Sequence, residues 1–296
     1  MSTERAPAKI NLCLFLGPVR PSDGRHELVS VMQSLSLADV LTLRPAGPGA
    51  AGDEVVCPGV EGPNLAGAAL AAFRAATGWD APPQRLEIVK RVPVAAGMGG
   101  GSGDAAAALR LAARAAGRLA DEALLLELAA GLGADVPAQV RPGRALATGA
   151  GERVERLGDG APFGVLVLPG RRPLSTAAVY AEADRLGLPR DAADLEARLA
   201  EVRAAIDRHG DLPPHLYAND LEPAALALAP EIGEALAEAR GTGADVVMVS
   251  GSGPTVLGLF FGPHGPRRAR AAATYALDGR DPAPLVAAPE PGWPAP

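Results

Sequence analysis

The densest glycine run in the chain, Gly97-Met-Gly-Gly-Gly-Ser-Gly-Asp104, stands between a strand-like segment (85–92) and an alanine- and leucine-rich segment (105–118) of strong helix propensity. Strand, glycines and helix in that order present unpaired backbone N–H groups together with the positive end of a helix dipole, which is a ready anion site. Glycine suits such a loop because it accepts positive φ and lets phosphate oxygens approach the backbone. Two familiar phosphate loops do not match. No lysine follows the glycines as a Walker A loop requires, and the third glycine position of a dinucleotide fingerprint falls on Ser102. On the loop alone, a plain glycine turn without a ligand stays open. Asp104, just inside the helix start, reads as an ordinary complement to the dipole.

Residues 9–16 alternate as a strand, with Ile10, Leu12, Leu14 and Leu16 on one face, so Lys9 and Asn11 point the same way on the other. A turn over 17–23 leads to a second strand-like run at 28–43. Helices are predicted at 64–77, ending near Gly78, and at 121–132, after which Pro137 is expected to push Val136 out of the helical region. Glycines and charges at 149–160 mark a domain boundary, giving domains 1–158 and 159–280. The second domain alternates helices (176–186, 192–209, 223–240) with strands (163–168, 246–249, 255–261). The tail, 281–296, carries six prolines in sixteen residues and is expected to be disordered.

Composition narrows the class. At 296 residues with 48% hydrophobic content, two domains around a cleft are the better expectation than one. A net charge of −6, no dense basic run and only ten aromatic residues argue against nucleic acid as a partner. No apolar stretch reaches the roughly 20 residues of a membrane span, and the first residues lack the apolar core of a secretion signal. Two cysteines and four histidines show neither metal-ligand spacing nor a disulfide framework, so a reducing cytoplasm is expected. Of the 28 cationic residues only two, Lys9 and Lys90, are lysines.

Phosphoryl transfer needs positive charge at the reacting phosphate and a carboxylate to accept a hydroxyl proton. Lys9 and Asp135 have the right chemistry, although spacing alone leaves Lys9 as a snorkelling strand residue and Asp135 as a solvated or capping carboxylate. Ser250-Gly-Ser-Gly-Pro254, between two strands, reads locally as a tight turn.

Taken in order, Pro7-Ala-Lys-Ile-Asn11, Pro93-x-x-x-Gly97-Met-Gly-Gly-Gly-Ser102 and Ser250-Gly-Ser-Gly253 resemble the three motifs of the GHMP kinase superfamily. Ala6-Pro-Ala-Lys-Ile-Asn-Leu12, Asp23-Gly-Arg-His-Glu-Leu28, Leu37-Ala-Asp39, Leu132-Gly-Ala-Asp-Val-Pro137 and Asn219-Asp-Leu-Glu222 extend the likeness toward its branch acting on a cytidine-linked sugar alcohol. The resemblance runs from about Ala6 to Phe261. It implies an α+β, two-domain fold: an ATP-binding N-terminal domain, a ferredoxin-like C-terminal domain and the active site between them. It implies ATP, with Mg²⁺, as phosphoryl donor and a small-molecule alcohol as acceptor.

Carried over by motif, Asp135 would be the general base and Lys9 its partner. Pro93, Val94, Ala95, Ala96, Gly97, Met98, Gly99, Gly100, Gly101, Ser102 and Gly103 would cradle the ATP phosphates, with Asn64 and Lys90 beside the adenine. Asn11 would place the acceptor hydroxyl, and His26, Thr176 and Tyr180 would meet the cytidine end. Two positions depart from the family pattern. Arg25 replaces a tyrosine that stacks on cytosine, and a guanidinium can also lie flat on a base. Gly103 replaces a serine, removing a hydroxyl from the loop. Two rival readings remain: a relative acting on another alcohol, of homoserine or mevalonate type, and an inert nucleotide-binding relative.

Overall fold

The computed structural model describes residues 1–118 and 121–293. Two long antiparallel strands, β1 (Ser2–Val19) and β2 (His26–Pro45), form its spine. Both outrun the expected strands because register shifts between Pro7 and Lys9, Asn11 and Cys13, and Leu16 and Val19 absorb the breaks in alternation. The free edge of β2 is shared by two further elements. β4 (Gln84–Val89), flanked by β3 (Glu54–Val56), takes residues 40–45, and β5 (Arg144–Thr148), flanked by β6 (Arg153–Arg156), takes residues 30–33.

One face of this sheet carries α1 (Leu65–Thr77), α2 (Gly100–Ala115), α3 (Glu122–Leu132) and α4 (Val136–Val140). Ala105 to Ala108 are all fully buried; their small side chains let α2 lie close against β1 and α1. Val136 opens α4 rather than leaving the helical region. Pro137 falls in the first turn, where its missing N–H has no partner to lose.

The other face packs against a second sheet. Ile10, Leu12, Val29 and Val31 share one apolar core with Val165 and Val167 of β7 (Phe163–Leu168) and Leu257 and Leu259 of β9 (Val256–Phe261). That second sheet has the order β10-β7-β9-β8, with β8 at Val246–Val249 and β10 at Leu285–Ala287. Its far side is covered by α5 (Thr176–Arg185), α7 (Glu222–Leu228), α8 (Ile232–Gly241) and α9 (Gly265–Ala271). α6 (Ala192–His209) packs into the core between the sheets, against β1 and β2.

The single helix expected over 223–240 is two, because Pro230 cannot continue α7 and forces Ala229 out of the helical region (φ −140°, ψ 78°). The proline-rich tail is ordered through Trp293. A β-α-β-β-α-β sheet needs a fourth strand beside its first, and Leu285-Val-Ala287 supplies it by pairing with β7. Pro294 to Pro296 lie outside the described residues.

Candidate active site

A cavity of about 550 Å³ opens between the two sheets' loops, within the usual size range for ligand pockets. Its wall is the glycine loop. Gly97 and Gly99 hold positive φ, 70° and 65°, and both are crowded. A Cβ on Gly97 would collide with the Ser250 carbonyl, and one on Gly99 would lie 2.8 Å from Cγ of Lys9. Gly99 is the N-cap of α2 and provides no capping side chain, so the first-turn N–H groups face the cavity mouth without an internal partner.

Lys9 crosses beneath this loop. Its backbone N–H donates to the Met98 carbonyl (2.9 Å), and its ammonium donates to Asn11 Oδ1 (2.8 Å) and pairs with Asp135 Oδ2 (3.2 Å). The Lys9 side chain is 7% exposed and that of Asp135 33%. Asp135 begins α4 but makes no side-chain cap bond, which leaves its carboxylate free to face Lys9 and the cavity. Asn11 is held by donating to Ser30 Oγ (2.7 Å), whose hydroxyl donates to the Cys13 carbonyl.

The turn between β8 and β9 completes the floor. Ser250 Oγ donates to the Gly97 carbonyl (3.1 Å), and a Cβ on Gly251 would stand 3.7 Å from the Lys9 ammonium. Asn219 donates to the carbonyls of Val249 and Gly251, and Glu222 accepts from the Val249 N–H, so the Asn219-Asp-Leu-Glu222 segment fastens this turn. Local reading offered only a hairpin here; the contact with the glycine loop arises from packing of the two domains.

At the other end, Thr176 shares a hydrogen bond with Ser252 (2.9 Å), and Tyr180 lies with its ring 5.6 Å from that of His26. Burial, with the nearby Asp135 charge, pushes the Tyr180 phenol up to about 12, so it stays neutral. His26 stands behind Tyr180 between the Gly17 carbonyl and Asp184, and is not itself part of the cavity wall. Arg25 does not line the cavity either. Its guanidinium is turned to Asp23, which also binds Arg20, and Arg20 in turn binds Glu152.

Asn64 and Lys90 both line the cavity. Asn64 caps α1 by accepting from the Ala66 N–H, while Lys90 sits between two carboxylates, Asp39 and Asp104. Pro93 through Ser102 contribute to the wall. Gly103 faces away from it: a Cβ there would lie 3.0 Å from the Pro7 carbonyl. A side chain at this position would meet strand β1, so the glycine removes nothing from the cavity.

The chain matches the family description "GHMP kinases N terminal domain" over residues 64–143 and "GHMP kinases C terminal" over 191–278. It is 43% identical over 264 residues to a 4-diphosphocytidyl-2-C-methyl-D-erythritol kinase of Streptomyces coelicolor, covering 86% of this chain and 85% of that one. To the enzyme of the same name from Azorhizobium caulinodans it is 41% identical over 301 residues, covering 98% and 95%. A crystal structure of 4-(cytidine 5'-diphospho)-2C-methyl-D-erythritol kinase superposes with a TM-score of 0.75 at 33% identity, covering 97% of this chain and 98% of that chain. Homoserine kinase from Cytophaga hutchinsonii (TM-score 0.74, 15% identity, covering 99% and 95%) shares the fold. The chain therefore belongs to the GHMP kinase family, among the 4-diphosphocytidyl-2-C-methyl-D-erythritol kinases.

Proposed function

We propose that this kinase transfers the γ-phosphoryl group of ATP to the C2 hydroxyl of 4-diphosphocytidyl-2-C-methyl-D-erythritol, a step in making isoprenoid precursors, with Asp135 as general base and Lys9 as its partner. The observation that carries the reading is the Lys9–Asp135 pair, 3.2 Å apart, set directly against the glycine loop. The acceptor oxygen forms a bond to the γ-phosphorus while the bond from that phosphorus to the β,γ-bridging oxygen breaks. ADP leaves with the electron pair, and the hydroxyl proton passes to Asp135. The Lys9 ammonium would hold the Asp135 carboxylate in place for that role and offset negative charge as it gathers on the transferring group.

Pro93 through Ser102 and the open first turn of α2 would hold the triphosphate, with Asn64 and Lys90 beside the adenine. Asn11 would steer the acceptor through Lys9, to which its amide oxygen is bonded. Thr176 and Tyr180 would form the cytidine end, with His26 supporting the Tyr180 ring. Arg25, tied to Asp23, would have to leave that partner to stack on the base. No group of three or more His, Cys, Asp or Glu side chains is arranged for a metal among the described residues. Mg²⁺ would come with the triphosphate oxygens, as this ion commonly does. No helix among the described residues is long and apolar enough to cross a membrane. The proposed setting is the cytoplasm, where the free thiols Cys13 and Cys57 stay reduced.

A coupled ADP-release assay with a panel of acceptors tests the assignment. Turnover is expected with the diphosphocytidyl substrate and not with homoserine or mevalonate. The reverse pattern would move the chain to another acceptor, and ATP binding without turnover on any of them would mark an inert relative.

A further inference from the structure

The two lysines of the chain flank the start of α2. Lys9 packs against Gly99, while the ammonium of Lys90 would stand 3.3 Å from a Cβ on Gly100. Among the described residues Lys9 has one carboxylate partner and Lys90 has two. Lys90 pairs with Asp104 Oδ2 at 2.7 Å and with Asp39, whose other oxygen accepts the backbone N–H groups of Arg91 and of Val92 (2.8 Å). Asp39 is fully buried and Asp104 is 3% exposed. The glycine loop is thus gripped at both ends by one cluster. Asp39 and Lys90 hold the segment that enters it, and Asp104 belongs to the helix turn that leaves it.

We propose that Lys90 is a positioning residue, closing the base of the glycine loop by joining Asp39 to Asp104, and that the net charge of these three side chains sets how tightly the loop holds a triphosphate. The inference rests on the reading of the loop as the ATP phosphate cradle.

Asp39 fills both its oxygens with donors, whereas Asp104 Oδ1 is buried with no partner. Asp104 therefore has a buried oxygen on which a proton can sit. Burial pushes it up to about 7, against the pull of Lys90 and with the push of Asp39. The other groups facing the cluster are the Cys57 thiol, kept neutral by burial, and the positive end of α2; Lys9 and Asp135 lie on the far side, across Gly99. When Asp104 loses its proton above about pH 7 the cluster gains one negative charge, placed beside the N–H groups that must hold an anion. A unit charge near 10 Å from a phosphate in a partly solvated site shifts affinity by roughly three- to tenfold.

The test is the pH dependence of KM for ATP between pH 6 and 8.5, in wild type and in Asp104→Asn, which has the shape of the protonated acid. Titration of ATP itself affects both proteins equally, so the ratio of the two KM values isolates the cluster. The ratio of wild type to variant is expected to climb about three- to tenfold through pH 7, with kcat ratios changing less than about threefold. Asp39→Asn keeps an acceptor for Arg91 and Val92, removes the second carboxylate and must flatten the profile as well. A ratio constant with pH for both variants would overturn the proposal while leaving the kinase reading intact. Failure of the wild type to bind ATP at any pH would overturn both.

Discussion

A lysine in a chain that otherwise uses arginine is informative only once its surroundings are known. Lys9 is such a case: its methylene stem lies on Gly99, its ammonium fits between an amide oxygen and a carboxylate, and its side chain is almost sealed from solvent. An ammonium is compact; a guanidinium is a broad planar fork that needs its own set of acceptors. Lys9→Arg keeps the charge but cannot keep this geometry, because the stem has no room to shift away from Gly99. We expect kcat to fall by on the order of 10- to 100-fold, at the lower end of what positioned charge and proton transfer contribute. Near-full activity in a steady-state assay would show that charge alone matters at this position. Of the residues in the site, Lys9 and Asn11 were legible together because strand alternation places them on one face. Asp135 was legible only through its family motif, since no local rule brings residue 135 to residue 9; the Asp39–Lys90–Asp104 cluster, whose members come from separate parts of the chain, was not legible.

Among the elements, the most legible were those whose signal is local. The strand–glycine–helix unit was one, and α1 with its Gly78 stop (φ 63°) was another. The less legible were those decided by partners. β1 and β2 extend well beyond their alternating stretches because each is buried on both faces and bulges repair the register. The tail shows the same override: six prolines argue for disorder, yet a three-residue strand between them finds the open edge of β7, and that edge is what makes the segment fold. Leu285-Val-Ala287 itself carries no proline; Pro284 and Pro289 flank it and leave its three backbone N–H groups intact.

At the scale of the molecule, the tail does more than complete a sheet. Beyond β10 it crosses to the N-terminal sheet, where Ser36 donates its N–H to the Ala288 carbonyl and the Glu290 N–H donates to the Ser34 carbonyl (both 2.8 Å). Glu290 pairs with Arg5, and the Trp293 ring lies 4.7 Å from the Arg110 guanidinium. The clasp ties together the two domains whose loops form the cavity. Removing residues 288–296 keeps β10 but opens this clasp, and should lower Tm by on the order of 5 °C with a rise in KM for both substrates. An unchanged Tm by calorimetry would show that the apolar core between the sheets suffices. The cavity's purpose is a separate matter, and it turns on Asp135, the carboxylate that joins Lys9 under the glycine loop. The direct measurement is kcat of Asp135→Asn with the diphosphocytidyl acceptor, beside its affinity for ATP. Loss of a general base predicts a fall of roughly 10²- to 10⁴-fold in kcat with ATP binding nearly unchanged; a variant that turns over at close to the wild-type rate would contradict the account.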